Sequence, residues 1–232
     1  MLRIENLSKV FNMRVGGEKT IPCLGGVTLE VEPGRMLAVI GPSGAGKSSL
    51  LKCVYGTYLA TGGNIYYTDG AGVTHDLASA DLQTMRRLRA EEIGYVSQFF
   101  RAIPRVSALD ILSEPLVSRG TAKPEARQRA RELLRAADIP ESLWQCYPST
   151  FSGGEKQRLN IIRGLITRPR LLLLDEPTAS LDPQSKLKVL ELIRDLKRRG
   201  SIILGVFHDY GAMRSVADRS YHIVTREMED IA

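Results

Sequence analysis

The 232-residue sequence has few cysteines and no long apolar segment. Its three cysteines, Cys23, Cys53 and Cys146, lie far apart and form no C-x-x-C pair, so neither a disulfide framework nor a zinc site is indicated. No apolar run approaches the roughly 20 residues that a membrane-spanning helix needs, and Leu2-Arg3-Ile4-Glu5 alternates like a strand rather than like a signal peptide. We therefore expect reduced cysteines and a cytoplasmic location.

The basic residues are not concentrated in one part of the sequence. The formal net charge is +6, but the 32 lysines and arginines are spread over most of the chain, which is typical of a solvated surface. The clusters Arg86-Arg87-Leu88-Arg89 and Lys197-Arg198-Arg199 read first as polar helix faces. We therefore expect no nucleic-acid partner.

A phosphate-binding motif stands between an apolar strand and a helix. Met36 to Ile40 predicts a buried strand, and Ser48 to Tyr55 predicts the start of a helix. Between them the chain matches G-x-x-x-x-G-K-[ST] with Gly41, Pro42, Ser43, Gly44, Ala45, Gly46, Lys47 and Ser48. The flanking strand and helix distinguish this motif from a chance glycine-rich turn.

The motif has the chemistry to hold a nucleotide. Its glycines let successive backbone N–H groups point at phosphates, and the N-terminus of the following helix adds partial positive charge. Lys47 is predicted to neutralise the outer phosphates, and the Ser48 hydroxyl is a hard oxygen ligand suited to Mg2+. We expect the whole motif and Ser49 to contact the nucleotide.

The first part of the chain predicts an antiparallel β layer. Residues 2–11 and 27–31 alternate apolar and polar side chains, and Gly16-Gly17 and Gly25-Gly26 between them indicate turns. Phe11 closes the first predicted strand. Two interpretations of Phe11 stay open, because its ring could stack on an adenine or pack as an ordinary residue at a strand end.

The middle of the chain predicts two further β segments and a set of helices. Residues 64–68 form a short β-rich run, followed by a loop-like stretch to about Asp81. Residues 93–98 predict a buried strand ending in Gln98, whose amide could reach Mg2+ or an attacking water. Residues 107–144 have a helical pattern, and we predict a helical subdomain over residues 107–165.

The last third predicts two buried strands that end in chemically active residues. Leu171 to Leu174 leads into Asp175 and Glu176, and residues 202–207 lead into His208, with an amphipathic helix over residues 185–199 between them. This β-α alternation predicts an α/β fold with a mostly parallel, doubly wound sheet. Strand ends in such sheets line the ligand crevice.

These strand ends suggest distinct roles in phosphoryl transfer. Asp175 is predicted to hold Mg2+ with Ser48, and Glu176 to polarise the attacking water as a general base. His208 can donate a hydrogen bond to the γ-phosphate. A lone histidine is more often structural, so the residue pattern alone favours the structural role.

A second anion site is predicted at the start of another helix. Ser152 is a candidate N-cap with Glu155 three residues later, which is a capping box. The hydroxyl of Ser152 and the amides of Gly153 and Gly154 would face whatever lies beyond that helix N-terminus. The spacing alone does not say whose phosphate would bind there.

Taken in order, these motifs resemble the ATP-binding cassette family along the whole chain. The resemblance rests on the phosphate loop, Gln98, the signature at residues 152–155, Asp175-Glu176, Ser180-Leu181-Asp182 and His208. It implies ATP and Mg2+ as cofactors, and ATP hydrolysis by a phosphate-loop cassette with an N-terminal antiparallel layer and a helical subdomain. It also implies that His208, 32 residues after Glu176, is the family's switch histidine and has a functional role. The signature is then expected to meet ATP on a second cassette, identical or paralogous, with Asp182 near the interface between the two. Phe151 and Glu155 depart from the commoner L-S-G-G-Q.

Within the family, residues 96–109, 148–155 and 207–209 look like the L subunit of the bacterial carbon-phosphorus lyase system. This resemblance implies a cassette that assists ATP-dependent synthesis of ribose 1-phosphonate 5-triphosphate beside the other lyase subunits. The alternative is the ATPase subunit of a lipoprotein- or macrolide-type exporter. In that case the surface around residues 98–106 would dock a membrane permease.

Overall fold

Two β-sheets and seven helices are present in the computed structural model, which describes residues 1–13, 19–100 and 104–231. The strands are β1 (Leu2–Met13), β2 (Lys19–Val31), β3 (Met36–Ile40), β4 (Gly62–Thr68), β5 (Thr74–Asp76), β6 (Ile93–Val96), β7 (Leu171–Asp175), β8 (Ile202–Val206), β9 (Arg219–His222) and β10 (Met228–Asp230). The helices are α1 (Lys47–Val54), α2 (Leu82–Glu91), α3 (Ala108–Val117), α4 (Lys123–Ala136), α5 (Gly153–Leu165), α6 (Pro183–Arg198) and α7 (Tyr210–Val216).

The antiparallel layer is a four-stranded sheet with the order β2-β1-β4-β5. The prediction for Gly25-Gly26 was wrong, because these residues lie inside β2. Leu7 pairs with Val27 and Lys9 with Leu24, so β2 has one extra residue there and forms a bulge. Strand β1 also continues two residues past Phe11. The predicted turn at Gly16-Gly17 lies outside the described residues.

The larger sheet has the order β10-β9-β3-β8-β7-β6 and is parallel except for the edge strand β10. Every residue of β7 and β8 is buried, as expected for parallel strands covered on both faces. Strand β3 lies between β9 and β8, so the phosphate loop leaves the interior of the sheet at its carboxyl edge. The predicted α/β fold is confirmed.

Several elements were not predicted from the sequence. The stretch expected to be a loop up to Asp81 contains β5, which is three residues long and pairs with β4. Asp81 then caps α2 by accepting hydrogen bonds from the amides of Gln83 and Thr84. Helix α7 and strands β9 and β10 complete the carboxyl end of the described chain.

Three hydrophobic clusters correspond to three layers of packing. One joins the antiparallel layer to one face of the parallel sheet around α1, and a second joins the opposite face to α6 and α7. The third fills the space between α3, α4 and α5 and includes Trp144. Helix α5 contributes Ile161 to the second cluster and Ile162 to the third, because adjacent residues of a helix point in different directions. The limits of the helical subdomain, 107–165, stay a prediction.

Across the described ranges, no helix is both long enough and apolar enough to cross a membrane.

Candidate nucleotide-binding site

The phosphate loop runs from the end of β3 to the first turn of α1. Gly41, Gly44 and Gly46 have φ angles of 140°, 78° and 93°, in the region that favours glycine. A Cβ at Gly46 would overlap the carbonyl oxygen of Cys23, and one at Gly41 would lie 2.9 Å from the side chain of Ile223. Both glycines are therefore required by backbone conformation and by close packing.

Lys47 begins α1 and bends back over the loop. Its Nζ donates hydrogen bonds of 2.8 Å to the carbonyl oxygens of Gly41 and of Pro42, and the residue is 6% exposed. Burial lowers the pKa of Lys47, while the nearby carboxylates of Glu176 and Asp175 act in the opposite direction. The loop thus holds an ammonium group close to the two acidic residues at the end of β7.

Ser48 and Asp175, two of the predicted Mg2+ ligands, are joined by a hydrogen bond. Ser48 Oγ donates to Asp175 Oδ1 at 2.7 Å, and Asp175 is 3% exposed. Sequence reasoning missed Tyr95, whose hydroxyl donates to Asp175 Oδ2 at 3.1 Å. Burial, followed by the charge of Asp175, raises the pKa of Tyr95. Tyr95 therefore stays a donor that fixes the carboxylate orientation.

Glu176 brings Gln98 and His208 together. Gln98 Nε2 donates to Glu176 Oε2 at 3.0 Å, and His208 Nε2 lies 2.8 Å from Glu176 Oε1. Glu176 has a φ of 54°, a left-handed conformation that costs a non-glycine residue about 1–2 kcal/mol. Its amide donates to Val206 O at 3.0 Å, which holds the turn against the end of β8. Such strain is commonly retained at functional sites.

Most of the predicted phosphate-site residues line one open cleft of about 290 Å3, but Gly41, Pro42 and Asp175 are not among its described lining residues. The cleft is formed by the phosphate loop together with residues from β2 and from the ends of three other strands. Its lining residues are Cys23, Ser43, Gly44, Gly46, Lys47, Ser48, Ser49, Gln98, Glu176 and His208. Cys23 was not predicted, and only its place on β2 across from Gly46 brings it here. Ala45 instead packs against the first hydrophobic cluster.

The oxygen donors beside the loop fit Mg2+. Among the described residues, no group of three or more histidine, cysteine, aspartate or glutamate side chains could hold a metal ion. Mg2+ is usually held by one or two protein oxygens, with water and substrate phosphates completing its octahedron. The Ser48 hydroxyl and the Asp175 carboxylate, 2.7 Å apart, match that donor set.

Phe11 lies outside the phosphate cleft and outside the buried core. It is half-buried and packs edge to face on Tyr58, with ring centroids 5.2 Å apart and planes at 83°. Lys9 Nζ lies 4.8 Å from the centroid of the Phe11 ring. The contact with Tyr58 agrees with ordinary packing near a strand end, because Tyr58 itself packs against the first hydrophobic cluster. Stacking of Phe11 on an adenine stays a prediction.

The signature residues also lie away from this cleft. Ser152 caps α5, and the predicted capping box is present: Glu155 Oε2 accepts from the Ser152 amide and hydroxyl, each at 2.8 Å. These bonds lower the pKa of Glu155, the side-chain bond being the larger cause. In the described part of the chain, nothing beyond the adjoining residues and the backbone of α5 lies within 4 Å of where a Cβ of Gly153 would be, whereas at Gly154 the nearest such atom is an Arg158 nitrogen at 3.7 Å. Asp182 caps α6 by accepting from the Ser185 amide at 2.9 Å.

A parallel sheet with a phosphate loop at its carboxyl edge, facing two acids and a histidine, defines a nucleotide-hydrolysing ATPase of the phosphate-loop class. Residues 24–179 match the family described as ABC transporter. The chain belongs to this family and is an ATP-binding, ATP-hydrolysing cassette that uses Mg2+.

Individual relatives agree with this assignment. The chain is 35% identical over 236 residues to the uncharacterized ABC transporter ATP-binding protein YvrO of Bacillus subtilis, covering 100% of this chain and 99% of that protein. It is 40% identical over 199 residues to the methionine import ATP-binding protein MetN of Rhizobium etli, covering 85% of this chain but 53% of that protein. The chain thus spans about half the length of this MetN protein.

A solved relative has the same fold. The dimeric, post-hydrolysis ATP-binding cassette MJ0796 bound to ADP and Pi superposes with a TM-score of 0.90 at 29% identity. The match covers 100% of this chain and 99% of that one.

Proposed function

We propose that this chain is the ATP-hydrolysing motor of a larger complex, with its catalytic centre at Glu176. The observation that carries the proposal is that Lys47, Glu176, Gln98 and His208 meet in one cleft. In that cleft the loop amides and Lys47 bind the phosphates. Ser48 and Asp175 hold Mg2+, which when bound neutralises phosphate charge.

Glu176 is the general base in this proposal. Gln98 donates to one oxygen of its carboxylate and His208 Nε2 lies 2.8 Å from the other, so a neighbour at each oxygen limits rotation of the carboxylate. A water that takes a place beside Glu176 can give a proton to this carboxylate as its oxygen bonds to the γ-phosphorus of ATP. The bond from that phosphorus to the β–γ bridging oxygen breaks, and ADP leaves with the bridging oxygen. The His208 ring, half exposed, can then turn its donor toward the γ-phosphate.

We further propose that two cassettes close on ATP. Ser152 and Gly153 do not line this chain's own phosphate cleft, and Gly153 is open to approach. A helix N-terminus with free amides suits a phosphate, so the signature would bind ATP held by the opposite cassette. The dimeric form of the related cassette MJ0796 supports this arrangement.

A second cleft, of about 450 Å3, offers a docking surface for the driven partner. It lies between α2, β6, α3 and α5, next to the segment that carries Gln98. Arg89, Arg119 and Arg163 line it, and the described lining residues include no carboxylate. We propose that a partner helix with acidic residues inserts here. Arg101 and Ile103, also expected at this surface, lie outside the described residues.

Two classes of partner are candidates for the complex that this cassette drives. The family description and the names of both relatives favour a membrane permease, with the cassette on the cytoplasmic side where ATP is available. The second candidate is the carbon-phosphorus lyase complex, favoured by residues 96–109 and 148–155. Neither relative is named for phosphonate metabolism or for lipoprotein or macrolide export.

Affinity capture of the tagged chain from its own cells tests both candidates. Capture of a multi-spanning membrane protein would support the permease, and capture of lyase subunits would support the lyase complex. Ser118→Glu adds bulk and negative charge to the arginine-lined cleft and is expected to abolish capture. Ser142→Glu, an exposed serine that does not line the cleft, is the matched control. Equal capture by both variants would contradict the proposed docking surface.

A further inference from the structure

One ion pair connects the segment that carries His208 to helix α6. Lys186, in the first turns of α6, donates from Nζ to Asp209 Oδ2. Asp209 directly follows His208 and caps α7 by accepting from the Ala212 amide at 3.0 Å. We propose that Lys186 is a positioning residue for ATP hydrolysis, because it holds the His208–Asp209 segment where His208 meets Glu176. This inference rests on the proposed catalytic centre.

The beginning of α6, which carries Lys186, also contacts α5, the helix that starts at the signature residues. Arg158 of α5 donates from Nη1 to Ser185 Oγ at 2.7 Å and lies 3.9 Å from Asp182. The beginning of α6 therefore contacts α5 through Arg158 and the His208–Asp209 segment through Lys186. A shift of α6 when two cassettes close would move His208 with it.

Folding stability does not explain the pair. The Lys186 side chain is 28% exposed and that of Asp209 is 39% exposed, and ion pairs this accessible contribute little to stability because water and salt screen them. The backbone bond from the Met213 amide to Asp209 O belongs to the first turn of α7, on the side of Asp209 away from His208. The effect of the pair is therefore local, because it favours one orientation of the His208–Asp209 segment beside Glu176 without adding measurably to the stability of the fold.

The test compares Lys186→Met, Lys186→Arg and Asp209→Asn with the wild type. Methionine keeps the length of the side chain without its charge, and asparagine removes the charge of Asp209 while still capping α7. Arg199→Met, which breaks an exposed pair with Asp195 at the far end of α6, is the matched control. The measurements are kcat and KM for ATP, the midpoint of thermal unfolding, and hydrogen exchange of the amides at residues 208–213.

We expect Lys186→Met and Asp209→Asn each to lower kcat roughly three- to fivefold, because the loss of one accessible ion pair can displace a catalytic group by no more than that. KM is expected to change less than about twofold, since ATP binding does not use this pair. The double variant should lose no more activity than either single variant, because both remove one interaction. Lys186→Arg should restore most of the rate, and the unfolding midpoints should stay equal.

Hydrogen exchange decides the proposal even for a preparation that needs a partner for activity. The two disruptive variants should speed exchange at residues 208–213 roughly threefold or more, with no change in Arg199→Met. Unchanged exchange there, or a kcat within about twofold of the wild type, would overturn the role of Lys186. Activity that Glu176→Gln leaves intact would instead overturn the catalytic centre itself, whatever the exchange shows.

Discussion

Glu176 is the residue whose chemistry is tested most directly by a change of one atom. We predict that Glu176→Gln slows steady-state ATP hydrolysis on the order of 100-fold or more, because the amide keeps the volume and loses the base. ATP affinity should stay nearly unchanged, since the phosphates are held by the loop on the other side of the cleft. Glu229→Gln, an exposed acid on β10, is the control. An unchanged rate in Glu176→Gln would remove this residue from the mechanism.

Lys47 should act on binding rather than on the chemical step. We predict that Lys47→Ala weakens ATP binding roughly 10- to 100-fold, the value of one hydrogen bond between charged groups. Lys47 is the one lysine among the described lining residues of the cleft, so no neighbouring lysine there can replace it. Titration calorimetry measures the affinity, with Lys123→Ala on the surface of α4 as control. Equal affinities in wild type and Lys47→Ala would contradict the assigned role of the loop.

Most residues of the candidate site could be predicted from the sequence, because the residue types that identify each motif lie within a few positions of one another. The phosphate loop and the acidic end of β7 are examples, since composition marks the buried strand before each of them. Tyr95 and Cys23 had no such signal. Tyr95 reaches Asp175 only because β6 and β7 pair in register, and Cys23 meets the loop only through the packing of β2.

The N-terminus of helix α5 has a capping box that stabilises the helix, and it is also the proposed second phosphate site. The lowered pKa of Glu155 means that its capping contribution is present above the pKa of the unfolded chain and is lost as the pH falls through the lower folded value. We predict that Glu155→Ala lowers the free energy of unfolding by about 1 kcal/mol at pH 7, an ordinary capping effect. Chemical denaturation measures this value.

The matched variant is Glu155→Gln, because glutamine also completes a capping box. Its free energy of unfolding should stay within about 0.5 kcal/mol of the wild type at pH 7. The difference between Glu155→Ala and the wild type should shrink below about pH 4.5, whereas the difference between Glu155→Ala and Glu155→Gln should not. If the difference in free energy of unfolding between Glu155→Ala and the wild type did not change with pH, the charged carboxylate of Glu155 would not be what supports the helix.

Whether a strand could be predicted from the sequence depended on its length and on how far it relies on pairing with a neighbouring strand. The core strands β7 and β8 are buried runs of one kind of residue, so their pattern needs no partner to be recognised. Strand β5 is three residues long and exists through pairing with β4. Gly25-Gly26 has the composition of a turn, but the long pairing of β1 with β2 absorbs it as a bulge.

For the whole molecule, the arrangement of the two anion sites favours pairing. The phosphate loop leaves one edge of the parallel sheet, while the signature starts a helix whose exposed first residues lie outside that cleft. With the phosphate site that we propose at the signature, a single chain would have two half-sites that do not meet. A second cassette, turned head to tail, would complete both.

This arrangement makes assembly dependent on nucleotide. We predict that ATP with Mg2+ promotes pairing of two cassettes in the Glu176→Gln variant, and that adding Ser152→Arg abolishes it. The arginine removes the cap of α5, at a cost of about 1 kcal/mol, which is small against a typical domain stability of 5–15 kcal/mol. It also places a bulky side chain at the open helix start where the opposite phosphate must lie, so closure should be lost while the fold persists.

Light scattering with ATP, with ADP and without nucleotide measures the mass of each mixture. Ser142→Arg in the same background is the control, because it adds the same side chain at an exposed serine away from both anion sites. Where the partner is a paralogous cassette, both chains are present in every mixture, since the same head-to-tail geometry requires Ser152 from one and a phosphate loop from the other. A mass that does not depend on nucleotide in any mixture would refute nucleotide-driven pairing. Pairing that survives Ser152→Arg would place the interface elsewhere on the molecule.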